Sequence, residues 1–273
     1  MSPSLKWLLS IVVLFSVLSG LLVYLIESYG SGPEGSSLEA VAAGLLLSLV
    51  AMSAIWSVIG SGTFIGRLGI AIGILIMPNV IVYGYFLITQ PKINSPIIGQ
   101  LFIAELTGVL SFLPISWLLK WRIQNENLPT CKITIRDLLL ATGLAAIYSN
   151  SLVGTFKKII EEEAIFGTSP TTSDIAFGMA IFLISVFFVT LLITVPIVHF
   201  AFRLDRKNTQ VVMSLISIVC FFLVFTSERI GDFVNELLPL LSFVYGLFAQ
   251  IYFLRNFGFE LVSTRTAIQP RIQ

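Results

Sequence analysis

The chain has 273 residues, 56% of them apolar and 11% charged, with a formal net charge of +1 and a mean hydropathy of +0.95. A soluble domain is nearer a quarter charged and covers itself with polar side chains, so lipid is the solvent this composition fits. The near-neutral balance excludes a nucleic-acid partner, which needs a concentrated basic face, and two scattered cysteines, Cys131 and Cys220, make neither a disulfide framework nor a metal site.

Crossing the hydrocarbon takes about 20 apolar residues at a rise of ~1.5 Å each. Backbone groups cannot stay unpaired there, and the runs are continuous rather than alternating, so helices are expected and not a β-barrel. The first run, Trp7–Ile26, follows Lys6 and shows no small-x-small cleavage pattern, which predicts a retained signal anchor. Glu27–Ser37, with Gly30, Gly32, Pro33 and Gly35, reads as a flexible loop. The second run is Leu38–Ile59, where Ala40, Gly44 and Ser48 form a small-residue face suited to close helix packing. Gly62, Gly66, Gly69 and Gly73 carry the same spacing into the third run, Leu68–Ile88, which has Met77-Pro78-Asn79 at its centre. Thr89–Pro96 reads as a tight turn before the fourth run, Ile97–Leu119, in which Pro114 predicts a kink.

A basic, polar segment, Lys120–Asp137, leads to the fifth run, Leu138–Gly154, which is short and contains Tyr148, Ser149, Asn150 and Ser151. In Thr155–Asp174, Phe156, Ile159 and Ile160 suit either a short amphipathic helix at the membrane surface or a solvated turn. Ser173-Asp174 is placed to cap the sixth run, Ile175–Phe202, where Pro196 predicts a second kink. The seventh and eighth runs are Gln210–Thr226 and Leu237–Leu254, and Asn150 and Gln250 are expected to hydrogen-bond between helices. No internal repeat is visible. The expected fold is all-α, a single polytopic transmembrane bundle over residues 1–273 with about eight spans and both ends inside.

Charge sets the orientation, because Lys and Arg are retained on the cytoplasmic side. Eight spans place Lys6, Arg67, Lys120, Arg122, Lys132, Arg136, Arg203, Arg206, Lys207, Arg255, Arg265 and Arg271 inside, against Lys92, Lys157, Lys158 and Arg229 outside, 12 against 4. Without the fifth run the split is 9 against 7. Glu27, Glu34, Glu39, Glu161, Glu162, Glu163, Asp174, Glu228, Asp232 and Glu236 fall outside. All four tryptophans, Trp7, Trp56, Trp117 and Trp121, fall near the inner interface, where an amphipathic indole is favoured; Tyr29, Tyr83 and Tyr85 lie toward the outer one.

The entry to the fifth run, Thr134-Ile135-Arg136-Asp137-Leu138-Leu139, resembles a segment common in uncharacterised multi-pass membrane proteins of planctomycete bacteria. The resemblance covers roughly 15 residues, Ile133–Ile147, and implies a bacterial inner-membrane setting; it supplies no catalytic residue. Physically it suits a helix start, with Asp137 capping free amides and Arg136 at the headgroups.

Chemistry is sparse. His199 is the one histidine, so a His-based zinc site is excluded and packing or hydrogen bonding is its expected role. Arg229-Ile230-Gly231-Asp232 lacks the first glycine of an aspartyl intramembrane-protease motif, and Ile59-Gly60-Ser61-Gly62 lacks that of a rhomboid-like one. Glu161–Glu163 lack the arginine that CAAX-type proteases require, and no phosphate-binding loop occurs. No cofactor, metal or catalytic residue is expected, and the enzyme reading is disfavoured.

One acid is deep. Glu105 lies about 4–5 Å from the centre of the fourth run. An ionised group there costs about 2.5–3.5 kcal/mol, so Glu105 should face protein or water. Asn79, beside the helix-breaking Pro78, is its expected neighbour at similar depth. The pair reads either as a hydrogen bond that joins two helices or as an ion or proton site at a broken helix. The expected function is accordingly a structural or assembly role with a membrane-protein partner or a second copy, and the alternative is small-solute or ion-coupled transport through Glu105.

Overall fold

A computed structural model describes residues 3–29, 33–63, 65–74, 97–124, 180–181, 184–185, 187–230 and 232–263. Of the described residues 88% are helical, so the described part of the molecule is a helix bundle with one small exception. The helices are α1 (Pro3–Tyr29), α2 (Pro33–Ile59), α3 (Ile65–Ile74), α4 (Ile97–Leu119), α5 (Phe187–Arg203), α6 (Arg206–Ile230) and α7 (Asp232–Asn256). Four of them contain stretches long and apolar enough to cross a membrane: Pro3–Leu22, Ser37–Ile59, Arg206–Val224 and Leu237–Asn256. The fifth run, the segments 75–96 and 155–174, Asn150 and Cys131 lie outside the described residues.

The exception to an all-α fold is a two-stranded antiparallel ribbon. Strand β1 (Trp121–Gln124) pairs with β2 (Glu260–Ser263), Trp121 opposite Ser263 and Gln124 opposite Glu260. Each strand leaves its helix through a left-handed residue, Lys120 at φ 52° after α4 and Gly258 at φ 80° after α7. Glycine is suited to that backbone and lysine is not. The ribbon therefore ties the ends of two helices that are distant in sequence.

Contacts fix the helix directions. Trp7, near the start of α1, stacks on Trp56, near the end of α2, which in turn meets Phe259 just after α7. Arg255, at the end of α7, donates to the carbonyls of Ala201 and Leu204 at the end of α5, and Gln210, near the start of α6, donates to the Tyr252 hydroxyl at 2.7 Å. Arg67, at the start of α3, donates to Val58 at the end of α2 at 2.7 Å, filling a carbonyl that the helix leaves unpaired where a cation also complements its dipole. So α2, α4, α5 and α7 end, and α1, α3 and α6 begin, at the ribbon end. Every described Lys and Arg except Arg229 belongs to that end.

Burial follows from solvent. The main core gathers Trp7, Ile11 and Phe15 of α1, Leu49, Met52 and Trp56 of α2, and Leu247, Ile251 and Leu254 of α7. A smaller cluster, Leu38, Val224 and Leu238 with Cys220 packed against it, closes the opposite end. Outward faces are apolar too: Val13, Val17, Leu215, Phe221 and Phe222 are each more than half exposed. Water would make that surface unstable, whereas hydrocarbon is a matched solvent, so the surface is compatible with a transmembrane protein.

Two expectations are corrected. The loop Glu27–Ser37 is largely helical, since α1 runs through Tyr29 and α2 begins at Pro33. Proline suits a first helical position because its missing N–H has no intrahelical acceptor there. The tryptophans are not all interface anchors. Trp7 and Trp56 are fully buried, whereas Trp117 is 76% exposed. In the sixth run, Thr190–Thr194 forms a π turn, with the Val195 N–H bonded to the Thr190 carbonyl. Pro196 follows directly and, having no N–H, cannot donate to the turn before it.

Candidate functional site

Among the described helices, α2 and α7, a parallel pair, approach each other very closely. A Cβ added to Gly44 would fall 2.9 Å from the Pro239 carbonyl carbon, and closer still to its oxygen and to Ser242 Oγ. One turn on, a Cβ on Gly246 would fall 2.6 Å from the Ser48 Cβ and press on its hydroxyl. Each helix therefore offers one glycine and one serine, four residues apart, and the serine of each lies over the glycine of the other. Without a hydrophobic drive between helices in lipid, such close approach is what lets dispersion hold them together.

Gln250 completes the row on α7. Its amide nitrogen donates to the Ser48 carbonyl at 3.1 Å, and to Ser48 Oγ and the Gly246 carbonyl at 3.2 Å each. Ser48 Oγ spends its own proton on the Leu45 carbonyl at 2.7 Å, so it faces Gln250 as an acceptor. That fixes which end of the amide points at it. The Gln250 backbone carbonyl accepts from Trp7 Nε1 at 3.3 Å, which brings α1 into the node. Gln250 and Ser48 are fully buried, and Gln250 Oε1 has no partner among the described residues.

At the ribbon end, His199 stacks on Trp121 with ring centres 5.4 Å apart and planes 3° from parallel. The packing role expected for His199 is thus realised through β1. Among the described residues no three His, Cys, Asp or Glu gather as a metal site needs.

The sequence-predicted pair is placed only in part. Glu105 lies on α4 two residues before Thr107, while the Glu105 side chain, Asn79 and Pro78 lie outside what the structure describes. The same helix and the π turn hold residues that sequence reading passed over. Thr107 and Ser111 of α4 are buried, and so are Thr190 and Thr194 of the π turn, which packs against α4. The signal was there in principle: each pair is spaced by four, which puts two hydroxyls on one helix face.

The chain matches no family model, no curated protein and no solved structure. The reading of the site therefore rests on its own chemistry. Among the described interior polar groups, Gln250, Ser48 and Trp7 join three helices.

Proposed function

We propose that this chain is a multi-pass protein of a bacterial inner membrane, crossing eight times with both ends in the cytoplasm, and that its role is structural or assembly-related rather than enzymatic. The observation that carries the structural role is the Gln250–Ser48–Trp7 node on the Gly44/Gly246 seam. It commits buried polar groups to locking α1, α2 and α7 together. A rigid unit of this kind, with apolar outer faces, is suited to holding a membrane partner or a second copy. Extraction from native membranes in mild detergent should return it with that partner in fixed stoichiometry. Recovery of bare monomer in every mild detergent would count against the reading.

Two features support the topology. The basic end of the bundle matches retention of Lys and Arg in the cytoplasm. In addition, α4 ends and α5 ends at this same end, while α5 enters about 25 Å away, given its 17 residues. An odd number of crossings between residues 124 and 187 satisfies that geometry, and the fifth run supplies one. With Cys131 and Cys220 replaced by serine, new cysteines at Lys120 and Asp205 should label from the cytoplasm and one at Asp232 from outside. Labelling of Lys120 and Asp205 from opposite faces would overturn the arrangement.

One observation favours transport as a second reading. Thr107 and Ser111 are buried on α4, the helix that includes Glu105, and Thr190 and Thr194 are buried in the π turn that packs against it. Helix irregularity near a deep acid is how many transporters build ion sites. On this reading Glu105→Gln lowers proton flux into proteoliposomes by at least tenfold. Unchanged flux would remove Glu105 as a coupling acid.

A further inference from the structure

We infer that an anionic phospholipid sits in an open groove of about 530 Å³ between α1 and α7, its acyl chain against Leu9, Ser10, Val13, Leu14, Val17 and Phe253. Lys6 holds its phosphate. The lining is apolar in effect, because the one polar side chain, Ser10, turns its hydroxyl onto the Lys6 carbonyl at 3.0 Å and offers the groove no free donor. Leu9, Val13 and Val17 are 47%, 61% and 64% exposed, so the wall is accessible from the side, as a chain already in the bilayer requires.

Length and direction select the occupant. Leu9 to Val17 spans about 12 Å along the helix, most of one leaflet's ~15 Å of hydrocarbon. At about 100° per residue the five α1 lining residues cover an arc of about 140°, and Lys6 falls near its middle, just past the ribbon-end limit of the groove. Its ammonium is exposed, and α1 carries no acidic residue before Glu27. Arg255, two residues beyond Phe253, is engaged with the carbonyls of Ala201 and Leu204. The groove thus ends at an exposed cation at headgroup depth, which complements a net-negative lipid better than a zwitterionic one.

This inference rests on the chain being embedded in a bilayer and not on which face is cytoplasmic. The full chain, purified in detergent, is titrated with phosphatidylglycerol and with phosphatidylcholine of the same acyl chains, and bound lipid is counted by native mass spectrometry. Phosphatidylglycerol should bind in preference. Lys6→Gln should lower that preference about fivefold, the effect of one basic residue near a charged headgroup, while Lys207→Gln, on α6, which contributes no lining residue, should leave it unchanged. Val13→Trp, which fills the groove at an exposed position, should remove both lipids. Equal effects of the two lysine variants, or persistence of the preference in Lys6→Gln, would show a non-selective lipid shell and overturn the site, even if Val13→Trp fails to fold. Recovery of the folded chain from water without detergent would instead sink the membrane reading itself.

Discussion

Replacing Gly44 with leucine is expected to abolish the folded bundle, and even alanine should cost about 3 kcal/mol, at the top of the usual range for overpacking. The reason is what the new atoms meet. At Gly44 the obstacle includes the Pro239 backbone carbonyl, which cannot move without shifting α7, so Ser242→Ala in the same chain should give little relief. Gly246 makes an instructive contrast, because its obstacle is the Ser48 side chain. Gly246→Ala should destabilise less, and pairing it with Ser48→Gly should recover part of the loss despite the missing Gln250 acceptor. Thermal unfolding in detergent, followed by the monodisperse peak on size exclusion, measures all five. A Gly44→Ala protein as stable as the parent would show that α2 and α7 do not touch along this seam.

Trp56→Ala should be the most damaging single truncation, by about 3–5 kcal/mol, the usual cost of emptying a large buried aromatic site. Trp56 is fully buried, 4.6 Å from the Trp7 ring centre and 5.4 Å from that of Phe259. Removing it unseats α1, the end of α2 and the entry to β2 together. Its Nε1 has no hydrogen-bond partner among the described residues, so Trp56→Phe should be far milder. Trp7→Phe loses a real bond to the Gln250 carbonyl and should cost about 1 kcal/mol more than its change in packing. Trp117→Ala serves as the control, since that ring is 76% exposed and its loss opens no cavity. Equal destabilisation by Trp56→Ala and Trp117→Ala would mean that these indoles act only as interface anchors.

Much of the helical layout was legible because hydrocarbon selects for long apolar runs whatever their neighbours. The run Ile97–Leu119 coincides with α4, and Leu38–Ile59 lies within α2. Elsewhere the helices outrun the apolar signal. The run Gln210–Thr226 sits inside α6, Arg206–Ile230, because backbone hydrogen bonding continues into polar flanks; Thr209 even returns its hydroxyl to the Asp205 carbonyl at 3.0 Å. The small-residue face Ala40, Gly44 and Ser48 was visible by spacing alone, and so was the interhelical role of Gln250. Their meeting was not, because nothing local says which of several similar spans lies beside another. The ribbon was out of reach for the same reason: Trp121–Gln124 and Glu260–Ser263 are four residues each, and their pairing closes over more than a hundred residues of chain.

The sequence by itself pointed to lipid as the solvent and to a helical backbone there, since these follow from composition and from the lack of water to pair amides in hydrocarbon. Tertiary structure alone decided that α2 and α7 are the intimate pair, that Trp7 and Trp56 are core rather than anchors, and that α4 and α7 are joined by a strand pair. Those outcomes depend on shape fit and on hydrogen bonds between residues far apart in the chain, such as Gln250 to Ser48, and no pattern in one dimension encodes them.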